Sequence, residues 1–189
     1  MSLAHAVLTS LIEKPSSGYE LARRFDKSIG YFWHATHQQI YRELARMEEK
    51  GWIVSDSAPD AGATRKREYK VLPDGRAELV RWTSEPAAPM DLRDEFTVKI
   101  RADAALNEVD LSDELRARIA QHTERLAHYR AIEARDFARG DAMPRAKRLQ
   151  HLILKKGIMF EEGSIAWARE ALAVLEVSAG AAKPIILND

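Results

Sequence analysis

Thr36-His37-Gln38-Gln39-Ile40-Tyr41-Arg42-Glu43-Leu44-Ala45-Arg46-Met47, closing on Gly51-Trp52-Ile53, is the stretch that decides the fold of this chain. Thr36 and Gln39 form a T-x-x-Q capping box, in which a hydroxyl and an amide satisfy free backbone N–H groups at a helix start. Ile40, Leu44 and Met47 then recur at i, i+4 and i+7, one apolar face of a helix. Gly51 stands where a left-handed residue closes such a helix. The opposite face carries Gln38, Gln39, Arg42 and Arg46, with His37 at the first turn and Tyr41 beside the apolar stripe. Glutamine pairs bidentately with adenine, and arginine with guanine or phosphate, so this face has the chemistry for reading DNA.

Working outward, Leu3, Val7, Leu8, Leu11 and Ile12 predict a helix that ends before Pro15. Ser17-Gly18-Tyr19-Glu20 is a second capping box, opening a helix to about Lys27 with Leu21 and Phe25 on one face. After Gly51, Trp52-Ile53-Val54 and Glu68-Tyr69-Lys70-Val71 predict two strands of a hairpin with a long tip. The tip ends in Arg65-Lys66-Arg67, cations suited to phosphates or a minor groove. Pro73 then opens a helix carrying Ala77, Leu79, Val80 and Trp82. Helix, turn, helix and hairpin is the order of a winged helix-turn-helix with a two-stranded wing, in which the second helix enters the major groove.

The whole chain has 189 residues, with 29 Lys+Arg against 29 Asp+Glu. Zero net charge argues against a strongly non-specific DNA binder. Divided at residue 83, however, it becomes 13 basic against 11 acidic residues, then 16 against 18. Ser84-Glu85-Pro86-Ala87-Ala88-Pro89 marks that boundary, since two prolines among small residues cannot continue a helix. The expected organisation is a DNA-binding domain over 1–83, a linker over 84–91, a helical dimerisation domain over 92–178 and a tail over 179–189.

The C-terminal half reads as all helix. Leu92, Phe96 and Ile100 lie four apart, and Leu111, Leu115, Ile119, Leu126 and Tyr129 continue one stripe. A break at Gly140-Asp141 and Pro144 precedes a last long helix from about Arg145 to Ser178. At ~1.5 Å per residue these helices reach roughly 40–50 Å, more than a small core can cover, so a second copy is expected. Leu115, Ile119, Leu126, Ile153, Phe160 and Trp167 are the expected dimer contacts.

Other classes find little support. No cysteine is present, which removes thiolate chemistry and Cys-based zinc sites. His34 and His37 lie three apart and His122 and His128 six apart, but neither pair has a third ligand at helical spacing, so no metal is expected. No G-x-S-x-G, phosphate loop or dinucleotide glycine pattern occurs, so neither catalytic residues nor a cofactor is expected. No run of about 18 apolar residues and no signal-peptide pattern are present, which makes a cytoplasmic protein without a membrane span the expectation.

The same residues carry a family resemblance. Pro15-Ser16-Ser17-Gly18-Tyr19-Glu20-Leu21 resembles the opening of PadR-type regulators, and His37 to Leu44 with Met47 and Gly51-Trp52-Ile53 resembles their recognition helix, nearest the branch of AphA-like virulence-gene activators. Arg67-Glu68-Tyr69-Lys70-Val71-Leu72 and Gly75 are similar to the family's wing and following helix. Leu152 to Leu172, with Gly157, Phe160-Glu161 and Trp167, resembles the helical domain of its longer members. Leu72-Pro73 departs from a common Leu-Thr, and the tip Ala61-Gly62-Ala63-Thr64 lacks a frequent Gly-Arg. The resemblance implies a homodimeric winged-helix transcription factor on a pseudo-palindromic operator. Such proteins are usually repressors and often respond to a small molecule. Aromatic effectors would draw on Phe96, Tyr129 and Trp167. The implied DNA contacts are Thr36, His37, Gln38, Gln39, Tyr41, Arg42, Arg46, Arg65, Lys66 and Arg67. The alternative is a winged-helix adaptor that binds protein and not DNA.

Overall fold

The computed structural model describes residues 3–26, 35–57, 67–87, 93–106, 108–138 and 142–181. They fall into two compact units, Met1–Met90 and Asp91–Asp189.

The first unit runs α1 (Leu3–Glu13), β1 (Ser16–Ser17), α2 (Gly18–Asp26), α3 (His37–Glu49), β2 (Ile53–Ser57), β3 (Arg67–Val71) and α4 (Pro73–Ser84). Val7, Leu8 and Leu11 of α1, Leu21 and Phe25 of α2, and Ile40, Leu44 and Met47 of α3 meet Ile53 in one core. These are the positions that the 3.6-residue period assigned to apolar faces. Both capping boxes form. At Ser17 the backbone N–H donates to Glu20 Oε2 at 3.4 Å and the hydroxyl accepts from Glu20 N–H at 3.3 Å. Gly51, at φ 67°, takes the left-handed turn after α3.

The sheet has three strands in the order β1-β3-β2, all antiparallel. Ser16 pairs with Tyr69 and Ser17 with Glu68, adding a strand to the expected two-stranded wing. Two serines carry no readable strand pattern; their pairing comes from a partner about fifty residues away in sequence. Arg24 secures this corner. Its guanidinium donates to the carbonyls of Ser10 at 2.5 Å and Lys14 at 2.8 Å, capping the end of α1, and to Ser16 Oγ at 2.6 Å. Burial pulls the Arg24 pKa below its usual value. At the other side of the sheet, Trp52 O accepts from Leu72 N–H at 2.9 Å. A Cβ on Gly75 would lie 2.2 Å from that same oxygen, so the first turn of α4 can rest there only with glycine.

A polar cluster ties α4 to α1. His5 is buried, stacks on Trp82 with centroids 4.5 Å apart, and meets Glu78 at 2.9 Å. Arg81 donates to both oxygens of Glu78, at 2.7 and 2.8 Å. The hydrogen bonds from Arg81 and then from His5 hold the Glu78 carboxyl down at about 2.

The second unit contains α5 (Glu95–Leu106), α6 (Ser112–Asp136) and α7 (Arg145–Ala181). The last helix passes the expected end at Ser178 by three residues. Phe96, Leu111, Leu115 and Ala168 form its core. Further along, α6 and α7 run antiparallel, as their cross-links demand: Arg116 to Glu176 at 2.9 Å, His122 Nδ1 to Glu161 at 2.5 Å, and Glu133 to His151 Nε2 at 2.8 Å. Glu161 is 2 % exposed and also faces Arg125 at 3.5 Å, the pairing that a buried carboxylate requires. Tyr129 packs on Gly157, where an added Cβ would lie 3.1 Å from its ring. Among the described residues no helix is long and apolar enough to cross a membrane.

Candidate nucleic-acid interface

The structure divides the predicted reading face into residues that hold α3 and residues that α3 presents. Thr36 is the N-cap, its hydroxyl accepting from Gln39 N–H at 3.2 Å. The Gln39 side chain returns the bond, with Oε1 accepting from Thr36 N–H at 2.8 Å. Bidentate pairing with adenine needs both ends of an amide, and one end of Gln39 is taken. One end of the Gln39 amide is therefore engaged in the cap, whereas Gln38, exposed beside it, has both ends of its amide unengaged among the described residues. Gln38 and Arg42 are exposed and make no hydrogen bond or ion pair among the described residues. Arg46 lies 3.7 Å from Glu43, a loose surface pair that costs little to break. His37 is exposed at the first turn.

Tyr41 joins the two helices of the motif. It is 46 % exposed, and its ring covers Gly18, where a Cβ would stand 2.5 Å from Cε1. The ring thus packs against α2 on one side and meets solvent on the other. Beyond Gly18, Tyr19 and Arg23 lie on the face of α2 opposite Leu21, Ala22 and Phe25. Sequence reasoning passed over this pair, although an exposed tyrosine and arginine at i and i+4 were legible in it.

On the wing, Arg65 and Lys66 fall outside the described residues. Arg67 is exposed at the end of β3, opposite Ser57, with no ion pair among the described residues. Lys70 stands 3.5 Å from Asp56 and 3.8 Å from Glu68, so its charge is compensated within the hairpin.

In the helical unit the expected dimer residues separate by burial. Leu115 is 0 % exposed and so offers no surface to another molecule, while Ile119 is half-buried against the same core. Leu115 is corrected to a core residue, clustered with Phe96 of α5. Leu126 is half-buried, while Ile153, Phe160 and Trp167 are 51 %, 58 % and 42 % exposed at seven-residue spacing. Of the three aromatic residues considered for an effector, Phe96 and Trp167 meet edge-on at 6.2 Å. Tyr129 lies against Gly157, about 15 Å back along α7 from Trp167, so the three do not converge.

Comparison with known proteins gives this geometry a family. The model described as "Transcriptional regulator PadR-like family" matches residues 7–81, and "Virulence activator alpha C-term" matches residues 92–176. The chain is 43 % identical to the probable transcriptional regulator Rv1176c of Mycobacterium tuberculosis over 186 residues, covering 93 % of this chain and 98 % of the relative. It belongs to the PadR family.

Solved PadR-family structures share the fold. The virulence activator AphA of Vibrio cholerae superposes with a TM-score of 0.77 at 33 % identity, over 94 % of this chain and 99 % of AphA. PadR of Bacillus subtilis in complex with operator DNA superposes with a TM-score of 0.80 at 25 % identity, over 91 % and 97 %. That PadR is a negative transcriptional regulator, and another of its structures holds p-coumaric acid. The present chain is thus a DNA-binding transcriptional regulator of the PadR family with a winged-helix unit and a helical unit, and the family is not one of enzymes.

Proposed function

We propose that the chain acts in the cytoplasm as a homodimeric repressor, reading a pseudo-palindromic operator with one α3 from each subunit. The observation that carries this is the two-sidedness of α3. Ile40, Leu44 and Met47 are each 0 % exposed, while Gln38 and Arg42 are exposed and unengaged among the described residues. A helix fixed so firmly on one side, with bidentate donors on the other, suits the major groove. Gln38 and Arg42 contact bases, Tyr41, Arg46 and Arg67 contact the backbone, and Thr36 and His37 hold the helix start against it. Arg65 and Lys66 contribute wing cations.

The dimer face is the exposed stripe of α7, with Ile153, Phe160, Trp167 and Val174 at intervals of seven residues. A stripe of that period on a 37-residue helix fits a mate running along it. Control by a small aromatic acid is the remaining element, supported by the p-coumaric acid held by the Bacillus subtilis relative. Selection of bound duplexes from random DNA with the full-length protein tests the reading. An enriched inverted repeat is expected, with half-sites one helical turn, about 34–36 Å, or a multiple of it apart. Release of that duplex by p-coumaric acid tests the effector.

A further inference from the structure

Helix α2 carries two adjacent arginines with different fates. Arg24 is engaged by the carbonyls at the end of α1 and by Ser16. Arg23 is exposed and has no carboxylate partner among the described residues. Among the described residues it contacts Tyr19, whose ring centroid lies 5.7 Å from the guanidinium carbon. Tyr19 is itself 57 % exposed, an unusual setting for a large ring on a helix with a well-formed core face. Glu20, three residues before Arg23, is turned back onto Ser17 N–H at 3.4 Å. Gly18, beside Tyr19, lies under the ring of Tyr41, which precedes Arg42 on α3. Tyr19 and Arg23 therefore stand on α2 next to the glycine through which α2 and α3 touch.

We propose that Tyr19 and Arg23 bind a backbone phosphate of the same duplex whose bases α3 reads. The inference rests on the DNA-binding reading above and adds α2 to it. In helix-turn-helix proteins the first helix crosses the backbone while the second enters the groove. Arginine and tyrosine are both phosphate ligands, one through charge and one through a hydroxyl. Stacking on Tyr19 restricts the Arg23 side chain before any contact, so less rotamer freedom is lost on binding. Each cation that binds a backbone phosphate should register in a salt titration.

The test titrates full-length protein against a fluorescein-labelled duplex of mixed sequence over a range of KCl. Arg23→Ala should lower the slope of log K against log salt by about one per head, with helical content and melting unchanged because Arg23 is exposed. Arg23→Gln serves in its place if the alanine variant melts early. Arg23→Lys should keep the slope. Tyr19→Phe should keep the slope and weaken binding by up to about tenfold per head, the loss of one hydrogen bond to a charged group. Wild-type slope and affinity in Arg23→Ala would overturn the inference, and unchanged affinity in Tyr19→Phe would remove the phenol from it. Absence of salt-dependent binding by the wild type would instead overturn the DNA reading itself, so the two failures are distinguishable.

Discussion

A Cβ on Gly18 would stand 2.5 Å from Cε1 of Tyr41, closer than real Cβ contacts come. The first and second helices of the reading motif therefore touch through a position where only glycine fits the observed ring. Tyr41 is half solvent-exposed, so the ring can swing out if forced. Gly18→Ala is expected to cost about 1 kcal/mol or less in stability, because alanine's helix propensity offsets part of the displacement. It should weaken DNA binding more than that, since the displaced ring lies beside Arg42. In a Tyr41→Ala background the same substitution should be neutral or stabilising. A double-mutant cycle by chemical denaturation checks the sign of the coupling.

Gln39 and Gln38 are neighbours with opposite duties. Gln39→Ala removes the bond to Thr36 N–H and should lower stability by about 0.5–1 kcal/mol. Because it frays the whole helix start, it should weaken binding to operator and mixed DNA alike. Gln38→Ala should leave the melting curve where it is. Thermal denaturation of the two variants side by side decides between these roles.

The Glu78 cluster gives the N-terminal unit a defined response to acid. Its carboxyl is held at about 2, below the ordinary glutamate value near 4.5. A carboxyl depressed in the folded state stabilises above its unfolded pKa, and that contribution is lost as pH falls from about 4.5 toward 2. Glu78→Gln should therefore flatten the acid limb of the stability curve in that window. At neutral pH it should cost about 1 kcal/mol, through weaker bonds to His5 and Arg81. Denaturation of wild type and variant across pH 2–6 measures both effects.

Leu115 and Phe160 separate folding from association. Leu115→Ala empties a fully buried site and should cost about 2–5 kcal/mol, seen as an early transition of the helical unit. Phe160→Asp places a charge on an exposed stripe of α7, so the subunit should stay folded while the dimer dissociates. Circular dichroism together with sedimentation equilibrium distinguishes the two outcomes. A dimer that persists in Phe160→Asp would move the interface elsewhere.

Much of the fold was legible because its signals are local. The capping boxes at Ser17 and Thr36, the turn at Gly51 and the faces of α1, α2 and α3 all depend on residues within about four positions of one another, and all are present. The strand at Ser16–Ser17 was not legible, because two serines acquire their pairing only from distant Tyr69 and Glu68. Leu115 was placed on the wrong surface for a related reason. Periodicity finds an apolar face but does not name what covers it, and here Phe96 of α5 does. At the DNA side, residue chemistry singled out α3 as the expected presenting helix. Only geometry separated Gln39, spent on the cap, from Gln38, and showed Lys70 compensated by Asp56 and Glu68.

The central claim is that the exposed side chains of α3 read base edges. It is tested most directly by repeating the selection from random duplexes with Gln38→Ala and comparing its base preferences with those of the wild type. The account predicts the same inverted repeat, with preference relaxed by about 1–3 kcal/mol at one symmetric position in each half-site. An identical preference at every position in the variant would contradict it.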